Sequence, residues 1–188
     1  MTQLSTNDIR PGMKIELENE PYVVVQNEFV KPGKGQAFNR IKSKNLLTQR
    51  VLEKTFKSGE KIVLADIEET RMRLLYKEQD GGVFMNDETF DQTHIPDSVI
   101  KNHAQWMKED TSYDVIFYKG NVIDIQPPTF MELQVVETAP GVRGDTASGR
   151  VLKPAILETG AKIQIPIFID EGEHIKVDTR TQEYVSRV

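Results

Sequence analysis

The chain is dominated by short runs of β-branched and aromatic residues that Gly, Pro, Asn or Asp separate. Runs of this kind are typical of β-strands, and their close spacing predicts small β-barrels. The runs lie at 22–25, 29–31, 37–42, 61–65, 73–76, 115–118, 122–125, 131–136, 163–169 and 174–177. One segment has helical periodicity: it starts at Pro96 and Asp97 and continues to about Glu109. The sequence therefore predicts an all-β fold with one short helix.

The length of 188 residues allows one large domain or two to three small modules. A first boundary is expected near residues 63–66. A second is expected at Pro127 and Pro128, because proline cannot donate a hydrogen bond to a neighbouring strand. The predicted domains are thus residues 1–64, 65–127 and 128–188.

Several classes of protein are disfavoured by the composition. No run approaches the roughly 18–20 apolar residues of a membrane span, and residues 1–10 lack the apolar core of a signal peptide. The chain has no cysteine, which excludes disulfides, thiolate metal sites and cysteine nucleophiles. We expect a protein of the cytoplasm without a membrane partner.

The charge is distributed unevenly along the chain. The formal net charge is −5, which argues against a globally basic nucleic-acid binder. Residues 1–63, however, carry 11 basic and 7 acidic side chains, against 6 and 13 in 64–127 and 7 and 9 in 128–188. Residues 29–52 contain no carboxylate and six basic residues, namely Lys31, Lys34, Arg40, Lys42, Lys44 and Arg50. This asymmetry predicts a polyanionic partner for the first domain.

Residues 29–38 form the most informative motif. Two strand-like runs flank the tip Pro32, Gly33, Lys34 and Gly35, and this composition predicts a β-hairpin with a lysine at its apex. An exposed apical lysine suits phosphate binding or covalent modification, although a solubilising turn lysine is the alternative. The tip does not fit the glycine-rich phosphate loop of nucleotide hydrolases, which also requires a Ser or Thr after the lysine.

No arrangement of residues resembles a catalytic or metal site. His94, His103 and His174 are scattered, and the acidic clusters at 66–69 and 170–173 lack calcium-loop spacing. We therefore predict no enzyme activity, no metal and no cofactor. The loop at 140–147, rich in small residues, is either an ordinary connection or a barrel loop that hydrogen-bonds nucleotides.

Together, several ordered segments resemble the bacterial elongation factor P family of ribosome-binding translation factors. These segments are 29–38, 53–57, 84–86 with 88–90, 144–146, Gly160 with 165–169, Gly172 with 175–179, and 183–187. The resemblance covers the whole chain. One departure is the run 147–152, which is less glycine-rich than the family pattern.

The resemblance implies a fold and a mode of action. The fold would be three β-barrels, an N-terminal SH3-like (KOW-like) barrel and two OB-folds, in an L-shaped arrangement that mimics a tRNA. The factor would bind the 70S ribosome between the P and E sites as a monomer and relieve stalling at consecutive prolines. It would help by holding the peptidyl-tRNA in a productive geometry, which is catalysis by positioning.

The resemblance also implies roles for individual residues. Lys34, within the tip loop of Pro32, Gly33 and Gly35, would point to the CCA end of the P-site peptidyl-tRNA. It would carry a β-lysyl group added by an enzyme related to lysyl-tRNA synthetase. The tRNA acceptor arm would contact Lys31, Arg40, Lys42 and Lys44, the E-site codon of the mRNA would contact Gly144, Asp145 and Thr146, and tRNA backbone would lie near Tyr184 and Arg187.

Three alternatives remain at the level of sequence. A general RNA-binding module built from SH3-like and OB barrels would give Lys34 no special role. A divergent paralogue within the family is disfavoured by the intact tip. An enzyme would need an acid, base, nucleophile or metal set that the residues do not suggest.

Overall fold

The structure is a computed structural model that describes residues 2–140 and 151–188. The described chain is almost entirely β, with one short α-helix, as the sequence predicts. None of its helices is long and apolar enough to cross a membrane within the described residues.

The N-terminal sheet has six strands in the order β1-β6-β2-β3-β4-β5. Their bounds are β1 Gln3–Ser5, β2 Lys14–Leu17, β3 Glu20–Val30, β4 Phe38–Asn45, β5 Val51–Lys57 and β6 Lys61–Leu64. Apolar residues at alternate positions of the strands form the core, because successive side chains of a strand point to opposite faces. Ile15, Val24, Ile41 and Ile62 are buried together in this way.

The middle sheet has five strands in the order β11-β10-β7-β8-β9. These strands are β7 Ile67–Glu78, β8 Gly81–Asn86, β9 Gln92–Pro96, β10 Ser112–Tyr118 and β11 Asn121–Gln126. Between β9 and β10 lie helix α1, Asp97–Ile100, and a 3₁₀ helix at Lys101–Trp106. The predicted helix is thus confirmed but ends three residues earlier than expected. The hydroxyl of Tyr113 holds that end, donating to the Trp106 carbonyl (2.8 Å) and accepting from the Lys108 amide (2.8 Å).

The C-terminal sheet has five strands in the order β14-β13-β12-β15-β16. Its strands are β12 Phe130–Thr138, β13 Leu152–Leu157, β14 Lys162–Pro166, β15 His174–Asp178 and β16 Glu183–Arg187. Strand β11 ends at Gln126, directly before the two prolines that were expected to stop it. The core contains Leu133, Ile165 and Val177 together with Trp106, which the 3₁₀ helix contributes.

The chain divides into two compact units. One comprises Met1–Thr70 with Val115–Asp124, and the other comprises Arg71–Asp114 with Ile125–Val188. In the first unit the Tyr118 hydroxyl donates to a carboxylate oxygen of Glu16 (2.8 Å). The three domain ranges given by the sequence stay a prediction.

Candidate nucleic-acid interface

Residues 29–38 form the predicted β-hairpin. Strands β3 and β4 are paired from Tyr22 and Asn45 out to Val30 and Phe38, and a seven-residue loop joins them. Gly35 in this loop has φ +115°, a conformation that side chains rarely adopt. Lys34 is exposed and makes no hydrogen bond or ion pair with the described residues. Its ammonium group is therefore available to a partner or a modifying enzyme.

The hairpin is supported almost to its end. Strand β5 pairs with β4 up to Phe38 and Lys57, so the third strand accompanies the hairpin to its last pair. Only the loop projects beyond the sheet. Lys34 is four residues from each paired end, which at ~3.3 Å per residue allows its backbone a reach of at most about 13 Å. A rigid base thus carries a short tip.

The outward face of β4 carries three of the predicted tRNA-contacting residues. Arg40, Lys42 and Lys44 point away from the core, alternating with buried residues. Lys42 and Lys44 make no ion pair within the part of the chain that the structure describes. Together with Lys31 in the exposed tip loop, they leave positive charge free for phosphates.

Arg40 differs from its neighbours. Its guanidinium lies 3.6 Å from a carboxylate oxygen of Glu28 on β3 and 3.6 Å from one of Glu53 on β5. The lack of carboxylates in the sequence window 29–52 therefore does not make the surface around Arg40 free of acidic side chains. Glu28 and Glu53 lie just outside the carboxylate-free window 29–52. Strand pairing places Glu28 opposite Arg40 and Glu53 opposite Lys42, from where the Glu53 carboxylate also reaches Arg40.

A second candidate surface is a cleft of about 1410 Å³ in the C-terminal sheet. The cleft includes Tyr184, which is half-buried against the core, and Phe168, which is 60% exposed. Sequence analysis missed Phe168 because it placed this residue inside the strand-like run 163–169, whereas β14 ends at Pro166. Aromatic faces in a cleft of an OB-fold suit stacking of nucleobases. Gly144, Asp145 and Thr146 lie outside the described residues.

Arg187 lies on β16 and forms an ion pair with Glu173. Its guanidinium is thus shared with a carboxylate, unlike the ammonium group of Lys34. Nearby, Asp178 accepts hydrogen bonds from the side chain of Arg180 (2.8 and 3.2 Å) and from its backbone amide (2.9 Å). The Arg180 guanidinium lowers the pKa of Asp178 to about 2. This pairing fixes the turn that leads into β16 and Tyr184.

One group of possible metal ligands occurs among the described residues. His94 Nε2 lies 3.4 Å from a carboxylate oxygen of Glu78 and 3.3 Å from one of Asp80. All three side chains are exposed, and such groups are common on surfaces without a metal. The expectation that the protein has no metal or cofactor stays a prediction.

Family comparisons agree with this geometry along nearly the whole chain. Residues 5–62 match the elongation factor P KOW-like domain, residues 67–125 the elongation factor P OB domain, and residues 131–187 the elongation factor P C-terminal domain. The chain belongs to the elongation factor P family. The resemblance read from the sequence is confirmed, and so are the KOW-like and OB folds.

Two relatives have nearly the same length as this chain. It is 63% identical over 188 residues to elongation factor P 2 of Protochlamydia amoebophila, covering 100% of this chain and 99% of that protein. It is 61% identical, with the same coverage, to elongation factor P 2 of Chlamydia caviae. These full-length matches support a role as a translation elongation factor.

Solved structures share the fold. Eukaryotic translation initiation factor 5A from Methanococcus jannaschii aligns with a TM-score of 0.55 at 17% identity, covering 66% of this chain and 95% of that one. An initiation factor 5A family protein from Naegleria fowleri aligns with a TM-score of 0.53 at 12% identity, covering 66% and 97%. At these identities the likeness concerns the fold alone.

Proposed function

We propose that this elongation factor P family member binds the 70S ribosome between the P and E sites and relieves stalling at consecutive prolines. The observation that supports this most is Lys34, whose ammonium group has no partner among the described residues and lies at the end of a supported hairpin. In this proposal Lys34, extended by a β-lysyl group, contacts the CCA end of the peptidyl-tRNA. The enzyme that attaches this group is related to lysyl-tRNA synthetase.

The proposed mechanism is positioning. Proline reacts slowly as peptidyl donor and as acceptor in peptide-bond formation, because its ring constrains the backbone. A peptidyl-tRNA whose CCA end is held in place adopts the reactive geometry more often. The protein supplies a rigid three-stranded base and a short tip. The bond is made by the ribosome, so the factor needs no acid, base or nucleophile of its own.

The remaining contacts follow from charge. Lys31, Lys42 and Lys44 bind phosphates of the acceptor arm, and Arg40 contributes less because two carboxylates lie beside it. In the C-terminal domain Tyr184 and Arg187 lie along tRNA backbone, and residues 144–146 meet the E-site codon. The factor acts as a monomer in the cytoplasm, where its ribosomal partner is found.

The decisive experiment is in vitro translation of a reporter with three consecutive prolines and of a matched reporter without them. The protein is added as purified from its native cells, as unmodified recombinant protein, and as the variants Lys34→Ala, Lys34→Arg and Lys31→Ala. Lys34→Arg keeps the charge but has no ε-amino nitrogen to which a lysyl group could be attached. Lys31→Ala removes one charge from the same loop away from its apex.

We expect rescue of the proline reporter alone, strongest with the native protein. Lys34→Ala and Lys34→Arg should both lose the part of the rescue that depends on modification, and Lys31→Ala should keep most of it. Absence of proline-specific rescue by the native protein would refute the proposal and favour a general RNA-binding module. Equal losses in Lys31→Ala and Lys34→Ala would show that the loop acts only through net charge.

A further inference from the structure

A cleft of about 380 Å³ lies beside the base of the hairpin, within the first unit. Its lining includes Asn7, Arg10, Asn27, Phe29, Asn39 and Ser58, and it contains no carboxylate. The volume is that of a small-molecule site, and the lining combines amides, a hydroxyl, an aromatic ring and one guanidinium. We refer to it as the hairpin cleft.

Asn39 in the hairpin cleft carries an unpaired acceptor. The residue is 2% exposed, and its Oδ1 has no hydrogen-bond partner in residues 2–140 and 151–188. The orientation of its amide is fixed by a chain of bonds. Asn27 Nδ2 donates to the carbonyls of Thr6 (2.8 Å) and Ile9 (3.0 Å), so Asn27 must present its oxygen to Asn39.

Asn39 therefore donates through Nδ2 to Asn27 Oδ1 (3.1 Å), and its own oxygen is left over. Turning the Asn39 amide around would place two oxygens against each other. A buried acceptor without a partner is destabilising, and such groups are rare in native proteins. The hairpin cleft thus lacks one hydrogen-bond donor.

Phe29 lies directly opposite Asn39 in the register of β3 and β4. Opposed residues of an antiparallel pair project from the same face, so the ring and the amide are neighbours. The same face of the sheet carries Ile41, which is fully buried in the core. Phe29, in contrast, is 55% exposed. An aromatic ring on the core-facing side, at the open end of a sheet, is placed to receive a planar partner.

Arg10 supplies the charge. Its Nη1 donates to the carbonyls of Asn7 (2.7 Å) and Ile9 (3.2 Å), which holds the guanidinium at the cleft. It makes no ion pair with a carboxylate of the described residues. A fixed, unneutralised guanidinium beside an aromatic ring and an amide is a combination that recognises a nucleotide.

We propose that the hairpin cleft binds one unpaired nucleotide of an RNA, with its base on Phe29, an exocyclic amine donating to Asn39 Oδ1, and its phosphate at Arg10. This inference rests on the proposed function insofar as that function supplies the RNA partner. Asn39 Oδ1 is enclosed, so the exposed Phe29 side chain turns to admit the base. Because the acceptor requires a donor, adenine and cytosine bind better than uracil, which carries a carbonyl at the corresponding position.

The test is an NMR titration of isotope-labelled full-length protein with the trinucleotides AAA, CCC and UUU. The signals to follow are the side-chain amide of Asn39 and the backbone amide of Phe29. The variants are Phe29→Ala and Asn39→Leu, with Val51→Ala as the matched control, since Val51 is also 55% exposed but lies on β5 outside the cleft. Thermal unfolding shows whether each variant folds.

We expect AAA and CCC to shift both signals, UUU to bind more weakly, and Phe29→Ala to weaken AAA binding about tenfold because base stacking is lost. Val51→Ala should bind as the wild type does. The inference would be overturned if only the NMR signals of Lys31, Lys42 and Lys44 shifted, or if Phe29→Ala bound AAA as tightly as the wild type. So would an Asn39 side-chain amide signal that does not shift on addition of AAA or CCC.

Translation of the three-proline reporter separates this inference from the proposed function. Rescue by the wild-type protein with no RNA response at Asn39 would refute the hairpin cleft alone. An RNA response at Asn39 without rescue would refute the proposed function and leave the nucleotide site in place.

Discussion

The hydroxyl of Tyr118 makes a hydrogen bond whose loss should be measurable. It donates to Glu16 Oε2 (2.8 Å) and lies 3.2 Å from the Asn19 carbonyl oxygen, and Lys119 Nζ lies 3.0 Å from the same Glu16 oxygen. The Tyr118 residue is 8% exposed and the Glu16 side chain 11%. Tyr118→Phe removes the donor and keeps the ring, so it isolates this bond.

The magnitude follows from the charge on the acceptor. A hydrogen bond to a charged group contributes about 1.5–3 kcal/mol, and we expect about 1.5 kcal/mol because Lys119 stays on Glu16 in the variant. For a unit of this size, 1 kcal/mol shifts the melting temperature by about 4–8 °C, so the expected decrease is about 6–12 °C. Calorimetry at about pH 7 measures it.

The pH dependence gives a second test. The Tyr118 hydroxyl, and then the Lys119 ammonium, lower the pKa of Glu16 from its ordinary value of 4.5. A lowered pKa means that the stabilisation is complete above the unfolded value and is lost as the pH falls through the folded one. As the pH falls through the lowered pKa of Glu16, the difference between wild type and Tyr118→Phe should therefore shrink toward that of a neutral hydrogen bond, about 0.5–1 kcal/mol.

Tyr22→Phe is the matched control. Tyr22 is also buried in the first unit, but its hydroxyl lies 3.5 Å from a carboxylate oxygen of Glu20, too far for a strong bond. We expect this variant to lose less than about 0.5 kcal/mol. A Tyr118→Phe loss no larger than this, or one that stays constant as the pH falls until Glu16 is protonated, would refute the reasoning.

Two further predictions concern the hairpin. Gly35→Ala should strain the tip by about 1–3 kcal/mol and reduce rescue of the three-proline reporter, because Gly35 has a positive φ. Gly33→Ala should keep the rescue, because the added methyl group meets no described atom within 4 Å. Equal losses of rescue in the two variants would contradict this prediction. Glu53→Gln removes a carboxylate 3.6 Å from Arg40, so the affinity for single-stranded RNA should rise and the plot of log affinity against log salt should steepen by up to about 0.7. An unchanged slope would show that Arg40 does not contact phosphate.

Local signals made the hairpin predictable. Pro32 and Gly35 favour a turn whatever surrounds them, and two apolar runs flank them. Strand β5 was not predicted, because its segment 51–57 has two lysines and a glutamate among few apolar residues. It is a strand because β4 offers it an edge to pair with. Pairing of that kind depends on tertiary structure, which no local pattern contains.

Strand β8 was missed for a related reason. It begins with Gly81 and Gly82, and glycine normally weakens a strand. A Cβ on Gly81 would lie 2.2 Å from the Ile95 carbonyl oxygen and 2.9 Å from His94 Nε2, so the neighbouring strand requires its absence. Gly81 argues against a strand when only the sequence is considered, but in the fold it allows β8 to pack closely against β9.

The candidate interface shows the same dependence on pairing. A count of charges along the chain treats Arg40 and Lys42 alike, since both lie in a window without carboxylates. Ion pairing separates them, because carboxylate oxygens of Glu28 and Glu53 lie 3.6 Å from the Arg40 guanidinium. Lys42 lies opposite Glu53 in the register but forms no ion pair with the described residues. Free positive charge is therefore concentrated at the projecting loop and at Lys42 and Lys44. If RNA binding is electrostatic, Lys42→Ala must weaken it more than Arg40→Ala, because the charge of Arg40 is already paired with carboxylates.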